Sequence, residues 1–201
     1  MKFRLALSFL LVLILFPISL VKAEAEVEVD EWGYEYTPKK ASEIDFSEGD
    51  FYVVALSEDL PNEDTIFAVY DHTEVEKFEQ SLFPFVSTFS TFSALPTKFL
   101  DYYTSSSKWI TRDGVVSLSL YPKKPAYANP PGMAEAHLQK YRWKVVYDKY
   151  HNSAKWKNTA SMKAQLECHA NIPKNLKTPW NIEPHRTETN YWKVVLKGCN
   201  P

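Results

Sequence analysis

Lys108-Trp109-Ile110-Thr111-Arg112-Asp113-Gly114-Val115-Val116-Ser117-Leu118-Ser119-Leu120-Tyr121 decides how the fold is read. Two β-rich runs, Trp109-Ile110 and Val115 to Leu120, flank Arg112-Asp113-Gly114. Asp-Gly tolerates the positive φ angles of a two-residue connection, so the stretch predicts an antiparallel hairpin. Downstream, Pro122, Pro125, Pro130, Pro131 and Gly132 make an extended loop, and Met133 to Tyr150 has helical composition. Its expected buried side is Ala134, Leu138, Tyr141, Val145 and Tyr150. From Met162 to Ala170, apolar residues alternate with Lys163, Gln165, Glu167 and His169. That period of two predicts a strand with one face buried, with a helix as the open alternative. Pro173, Pro179 and Pro184 keep the next segment extended, and Tyr191 to Leu196 forms a last short element. The fold class is therefore α+β: a small antiparallel sheet with one main helix in the C-terminal part.

Upstream, Phe51 to Leu56 and Thr65 to Tyr70 are short β-rich runs separated by a segment holding Pro61 and Asn62, the pattern of neighbouring strands. Asp71 or Thr73 then caps a helix from Glu74 to about Leu82, since Thr73 and Glu76 have capping-box spacing. Residues 24–50 are polar and acidic with few aliphatics, which predicts a poorly ordered arm. Residues 81–105 mix Ser and Thr with aromatics. Within them Leu82, Phe85, Phe89 and Phe92 recur at helical spacing. Such a stripe packs on its own domain or touches a membrane or partner. The organisation read from the chain is a leader at 1–23, an acidic region at 24–80, an aromatic linker or helix at 81–105, and a basic domain at 106–201.

The leader has Lys2 and Arg4 before an apolar run from Leu5 to Leu20, then small residues in Val21-Lys22-Ala23 and Ala23-Glu24-Ala25. Positive start, apolar stretch and small-residue frame is the order a signal peptidase reads. The run falls short of the roughly 20 residues of a spanning helix. The expectation is a secreted, extracellular protein with no transmembrane segment after processing. In that setting Cys168 and Cys199 read first as a disulfide. Closing their loop would remove on the order of 3–4 kcal/mol of unfolded-chain entropy. A nucleophilic thiol and a metal ligand are the alternatives, without a CxxC pair in support of either.

The formal net charge of −2 conceals a division. Residues 24–80 carry 18 acidic and 3 basic side chains, whereas residues 81–201 carry 7 acidic and 17 basic. Such asymmetry speaks to partners. The acidic region docks on the basic half as an intramolecular arm, or the basic half faces an external polyanion, or two solvated surfaces never meet. Candidate polyanions are an anionic polymer of the cell envelope, nucleic acid, or anionic lipid.

Several stretches together resemble a bacterial family, the one catalogued as domain of unknown function 2599. They are Trp109, Arg112-Asp113-Gly114, Ser117-Leu118-Ser119, Pro122, Gln165, Cys168-His169, Lys177, Trp180-Asn181-Ile182-Glu183-Pro184, Arg186 and the terminal Cys199-Asn200-Pro201. The family pattern has Leu where Ile182 stands and Pro where Thr187 stands. The resemblance covers residues 108–201 and implies a secreted domain with Cys168 paired to Cys199. It implies no activity.

The densest polar cluster is His169, Lys174, Lys177, Asn181, Glu183, His185 and Arg186, with Trp180 among them. His169 and Glu183 have the chemistry for general acid–base work, and Arg186 for steadying an anionic transition state, as in phosphodiester cleavage. Lys174, Lys177, Trp180, Asn181 and His185 would line the binding surface. The structural alternative is an ion pair between Glu183 and Arg186, with the Asn181 amide satisfying turn backbone. An open pocket around these groups favours an enzyme, and burial favours a scaffold role. His169, Glu183 and His185 are the only candidate metal set, and no HxxxH or HExxH spacing supports it. No Gly-rich phosphate loop, GxSxG or nucleotide fingerprint is present, so no cofactor is expected. Trp143 and Trp156 lie among Lys140, Arg142, Lys144, Lys149, Lys155 and Lys157. Flat aromatics interleaved with cations suit sugars, wall polymers or single-stranded nucleic acid. The leading expectation is a secreted binder of an anionic envelope or extracellular partner. The alternative is a secreted hydrolase or toxin-type effector built on His169, Glu183 and Arg186.

Overall fold

The computed structural model describes residues 26–31, 33–57, 61–86, 99–128, 130 and 132–201, with the side chains of 82–86 left aside. The leader expected at 1–23 and residues 87–98 of the aromatic region at 81–105 lie outside the described residues.

The protein is α+β, with two small antiparallel sheets. In the first, strands β1 (Glu28–Val29), β2 (Glu35–Lys40), β3 (Phe51–Ala55) and β4 (Ile66–Asp71) lie in the order β1-β2-β4-β3. The region expected to be a poorly ordered arm thus contributes two strands and a 3-10 turn at Ala41–Glu43. Glu28 and Glu35, the acidic residues within these strands, sit on exposed positions, where charge does not oppose pairing. Helix α1 (His72–Val86) follows β4 directly, and the Asp71 carboxylate caps it by accepting from the amides of Thr73 at 2.7 Å and Glu74 at 3.1 Å. After the short α2 (Leu100–Tyr103), β5 (Thr104–Arg112) and β6 (Val115–Pro122) form the expected hairpin. Asp113 and Gly114 adopt φ of 51° and 79°, the left-handed pair that a two-residue turn requires. Strand β7 (Trp180–Ile182) pairs with β6 and completes the second sheet, β5-β6-β7.

Helix α3 (Met133–Tyr150) occupies the stretch read as helical. The next segment corrects the sequence reading. Thr159–Asn171 is helix α4, not a strand, and every residue from Ser161 to Ala170 is buried. Residues two apart stand on opposite sides of a helix, and residues four apart share a side. Alternation therefore gives two apolar faces separated by polar seams. Met162, Leu166 and Ala170 join Leu118, Leu120, Val145, Trp180 and Ile182 in one core. Ala164 and Cys168 join Val53, Phe67, Tyr191 and Val194 in a second. The short α5 (Tyr191–Leu196) supplies the last two of these.

A third core packs Tyr52, Val54, Tyr70 and Val75 against Met133 and Ala136 of α3. The β3–β4 pair is thus covered on both faces, which is why Phe51–Ala55 and Phe67–Tyr70 read as nearly continuous apolar runs. Two of the three cores draw on both halves of the chain. The segment at 42–46 is also laced to 189–191: the Phe46 amide donates to Thr189 at 3.0 Å and the Tyr191 amide to Ile44 at 3.0 Å. Cys168 and Cys199 are disulfide-bonded, with Cα atoms 5.4 Å apart.

A fragment beginning at Thr104 would expose Ala164, Tyr191, Val194, Met133 and Ala136 together. A domain's net stability is only roughly 5–15 kcal/mol, so the fragment is expected to lack a cooperative thermal transition in near-ultraviolet circular dichroism. A sharp transition matching that of the full chain would overturn this account of the cores.

Candidate functional site

The sequence-predicted cluster is divided by the fold. Helix α4 carries His169 into the interior, where it has 0% exposed surface and stacks on Trp180 at 6.2 Å with ring planes 18° apart. Burial pushes its pKa down to about 3, aided by the Lys177 charge and opposed by the Asn200 side chain and the Asn181 backbone. Neither ring nitrogen has a hydrogen-bond partner of good geometry. The imidazole is neutral and out of reach of solvent.

Around it the remaining groups hold the chain's end. Lys177 Nζ donates to the Gly198 carbonyl at 2.5 Å, Asn200 Nδ2 donates to the Asn181 carbonyl at 2.5 Å, and Trp180 Nε1 donates to the Lys174 carbonyl at 2.8 Å. Glu183 stands with a different set. Its carboxylate accepts from Arg186 Nε at 2.8 Å and lies 3.9 Å from His185 Nε2. Its backbone amide donates to Gln165 Oε1 at 2.8 Å. No hydrogen bond or ion pair joins His169 to Glu183 among the described residues. Nor does any group of three or more His, Cys, Asp or Glu side chains stand ready to hold a metal ion there.

A second polar assembly crosses the interior. Gln139 of α3 satisfies the free edge of β3: its Oε1 accepts from the Val53 amide at 3.0 Å and its Nε2 donates to the Val53 carbonyl. Nε2 also reaches Glu135 at 3.2 Å, and Arg142 lies 3.5 Å from Glu135. Arg142 pairs with Glu167 of α4 and donates to the Ala126 carbonyl at 3.1 Å. Burial opposes the guanidinium charge, but Glu167 and Glu135 together hold its pKa above the ordinary value. Burial raises the Glu135 carboxyl to about 7, against the pull of Arg142.

The open site lies elsewhere. A groove of about 510 Å³ runs between residues 46–52 and the outer face of α3. Trp143 and Tyr147 line the helix wall one turn apart, with Lys144 and Asp148 beside them, and Asp50, Tyr52 and Lys163 close the other side. Trp143 packs on Tyr147 at 5.9 Å and on Trp156 at 5.8 Å, while Tyr147 stacks on His151 at 4.4 Å. Lys163 Nζ donates to Asp50 at 2.8 Å and to the Phe51 carbonyl at 3.0 Å, and sits 4.7 Å from the centre of the Tyr52 ring. Lys140 meets Glu79 of α1 at 3.0 Å, and His137 lies 3.2 Å from the same carboxylate. Acidic residues of the first half thus contact the basic half at Asp50 and Glu79. Sequence reading singled out Trp143, Trp156, Lys140 and Lys144 but not Asp50, Tyr52 or Lys163. The one local signal was the pairing of Trp143 with Tyr147 and Lys144 with Asp148 at four-residue spacing.

His169 makes the fold sensitive to acid. Its folded pKa of about 3 lies below the ordinary 6.5, so the unfolded chain binds the extra proton. Stability is fully present above pH 6.5 and is lost as pH falls toward 3, by up to about 1.4 kcal/mol per pH unit. The melting temperature of His169→Gln is expected to fall less steeply over that range than that of the unaltered protein. Parallel slopes would show that the histidine is not the group titrating.

No curated protein and no solved structure matches this chain. Residues 104–201, its C-terminal half, match the family described as Protein of unknown function (DUF2599), the one its Cys168-His169, Trp180 to Arg186 and terminal Cys199-Asn200-Pro201 residues resemble.

Proposed function

We propose that the protein works outside the cell and binds an anionic polymer through cations of its C-terminal half. The observation that carries this reading is a difference in pairing. Lys140, Arg142, Lys144, Lys163 and Arg186 each have a carboxylate partner. Lys149, Lys155 and Lys157 form no ion pair among the described residues: Lys149 stands on the last turn of α3, and Lys155 and Lys157 flank the half-buried Trp156 in the turn before α4. Lys149 reaches the Ser107 hydroxyl at 3.2 Å and lies 5.3 Å from the centre of the Tyr150 ring. Their charge meets a ligand without first leaving a carboxylate.

The leader pattern in residues 2–25 and the Cys168–Cys199 disulfide support an extracellular setting, because such bonds persist where the surroundings are oxidising. Among the described residues no helix is long and apolar enough to cross a membrane. Solvated lysines attract a polyanion chiefly by releasing its condensed counterions, so affinity must fall as salt rises.

The test is titration of the processed full-length chain against purified teichoic acid and duplex DNA across a salt series. The logarithm of the association constant is expected to fall linearly with that of salt concentration. Replacing Lys149, Lys155 and Lys157 together with Ala should weaken binding and flatten the slope by up to about three units. Absence of binding at low salt, or an unchanged slope in the triple variant, would rule this function out.

A further inference from the structure

The groove beside α3 is charge-balanced, unlike Lys149, Lys155 and Lys157. Each lysine that lines it is already neutralised: Lys144 by Asp148 at 2.8 Å, Lys163 by Asp50 at 2.8 Å, and Lys140 by Glu79 at 3.0 Å. A charged ligand entering here would have to displace one of these partners. An uncharged ligand rich in hydroxyls would not, since each ammonium–carboxylate pair offers a donor and an acceptor side by side.

The helix wall supplies the complementary apolar surface. Trp143 and Tyr147 are held by Trp156 and His151, so the aromatic surface is formed before any ligand arrives. The C–H face of a pyranose ring fits an aromatic face by dispersion and by attraction to the negative π-surface. Nucleobases also stack on such rings, but their phosphates would need unpaired cations inside the groove. Its size of about 510 Å³ lies within the roughly 300–1,000 Å³ of small-molecule sites.

We infer that this groove binds an uncharged oligosaccharide, its pyranose rings against Trp143 and Tyr147 and its hydroxyls shared among Lys144, Asp148 and Asp50. The site is separate from the polyanion surface and does not depend on it.

The experiment is isothermal titration of the processed full-length chain with neutral oligomers of N-acetylglucosamine, glucose and galactose, at low and at high salt. At least one oligomer is expected to bind with an affinity that salt leaves unchanged. Trp143→Ala should weaken that binding roughly tenfold, by loss of the stacking contact. Because Trp143 also supports Trp156, the exposed-residue variants Asp148→Asn and Lys144→Gln serve as a second arm, each expected to weaken binding several-fold without moving the melting temperature. No heat with any neutral oligomer overturns the inference, as does binding that all three variants retain. Binding confined to charged saccharides and abolished by salt also overturns it, while leaving the polyanion reading intact.

Discussion

Helix α4 brings Lys163, Gln165 and Glu167 into the interior together with its apolar residues, and the fold is arranged around matching these three. A polar group buried without a partner costs on the order of 1–3 kcal/mol, and an unpaired charge more. Lys163 is met by Asp50 and the Phe51 carbonyl, Gln165 by both backbone groups of Glu183, and Glu167 by Arg142. These partners come from the first sheet, from the segment after β7, and from α3. No one of these elements can leave without stranding a charge or an amide inside. The same requirement joins the two halves, since Asp50 belongs to the acidic region and Lys163 to the basic one.

The residues that carry the family resemblance acquire a physical meaning from this helix. Cys168 and Cys199 tie the chain's end to α4, and the segment between them is fastened by contacts to backbone. Lys177 holds Gly198, Asn200 holds Asn181, and Trp180 covers His169 while donating to Lys174. Of the side chains that look in one dimension like a catalytic assembly, Lys177 fastens the terminal segment, His169 is buried beneath Trp180, and Glu183 stands apart with Arg186. Glu183 and Arg186 form the ion pair that was the structural alternative to catalysis, and the carboxylate is mostly covered by its surroundings.

Local chemistry was legible in the sequence and distant contact was not. The β5–β6 hairpin follows from Asp113-Gly114, a requirement met within two residues. Helix α3 follows from eighteen residues of favourable composition bounded by Gly132, whose φ of 58° at the cap suits glycine. Helix α4 misleads because periodicity reports one buried face, and this helix has two. Strands β1 and β2 were hidden by the acidity of the region around them, which leaves backbone pairing unaffected. The burial of His169 depends on Trp180, eleven residues away and in another element. The groove needs residues 46–52 and 140–163 side by side, a juxtaposition no local pattern encodes.

The charge division of the chain also takes on a spatial form. Had the acidic and basic halves met as two smooth surfaces, the pairs between them would be diffuse and readily screened by salt. Instead the contacts are few and partly covered. The Lys140–Glu79 pair is mostly covered, at 18% and 24% exposed, whereas Lys163, 7% exposed, meets an Asp50 that is 63% exposed. A covered pair is screened little, so the Lys140–Glu79 contact resists salt, and the seam is held as well by the apolar cores that both halves share. The acidic region therefore acts as a fixed wall of the groove, not as a detachable mask over the basic half. Its neutralising effect is confined to the lysines it touches, Lys140 and Lys163, and leaves Lys149, Lys155 and Lys157 at the end of α3 and in the turn after it without a carboxylate partner among the described residues.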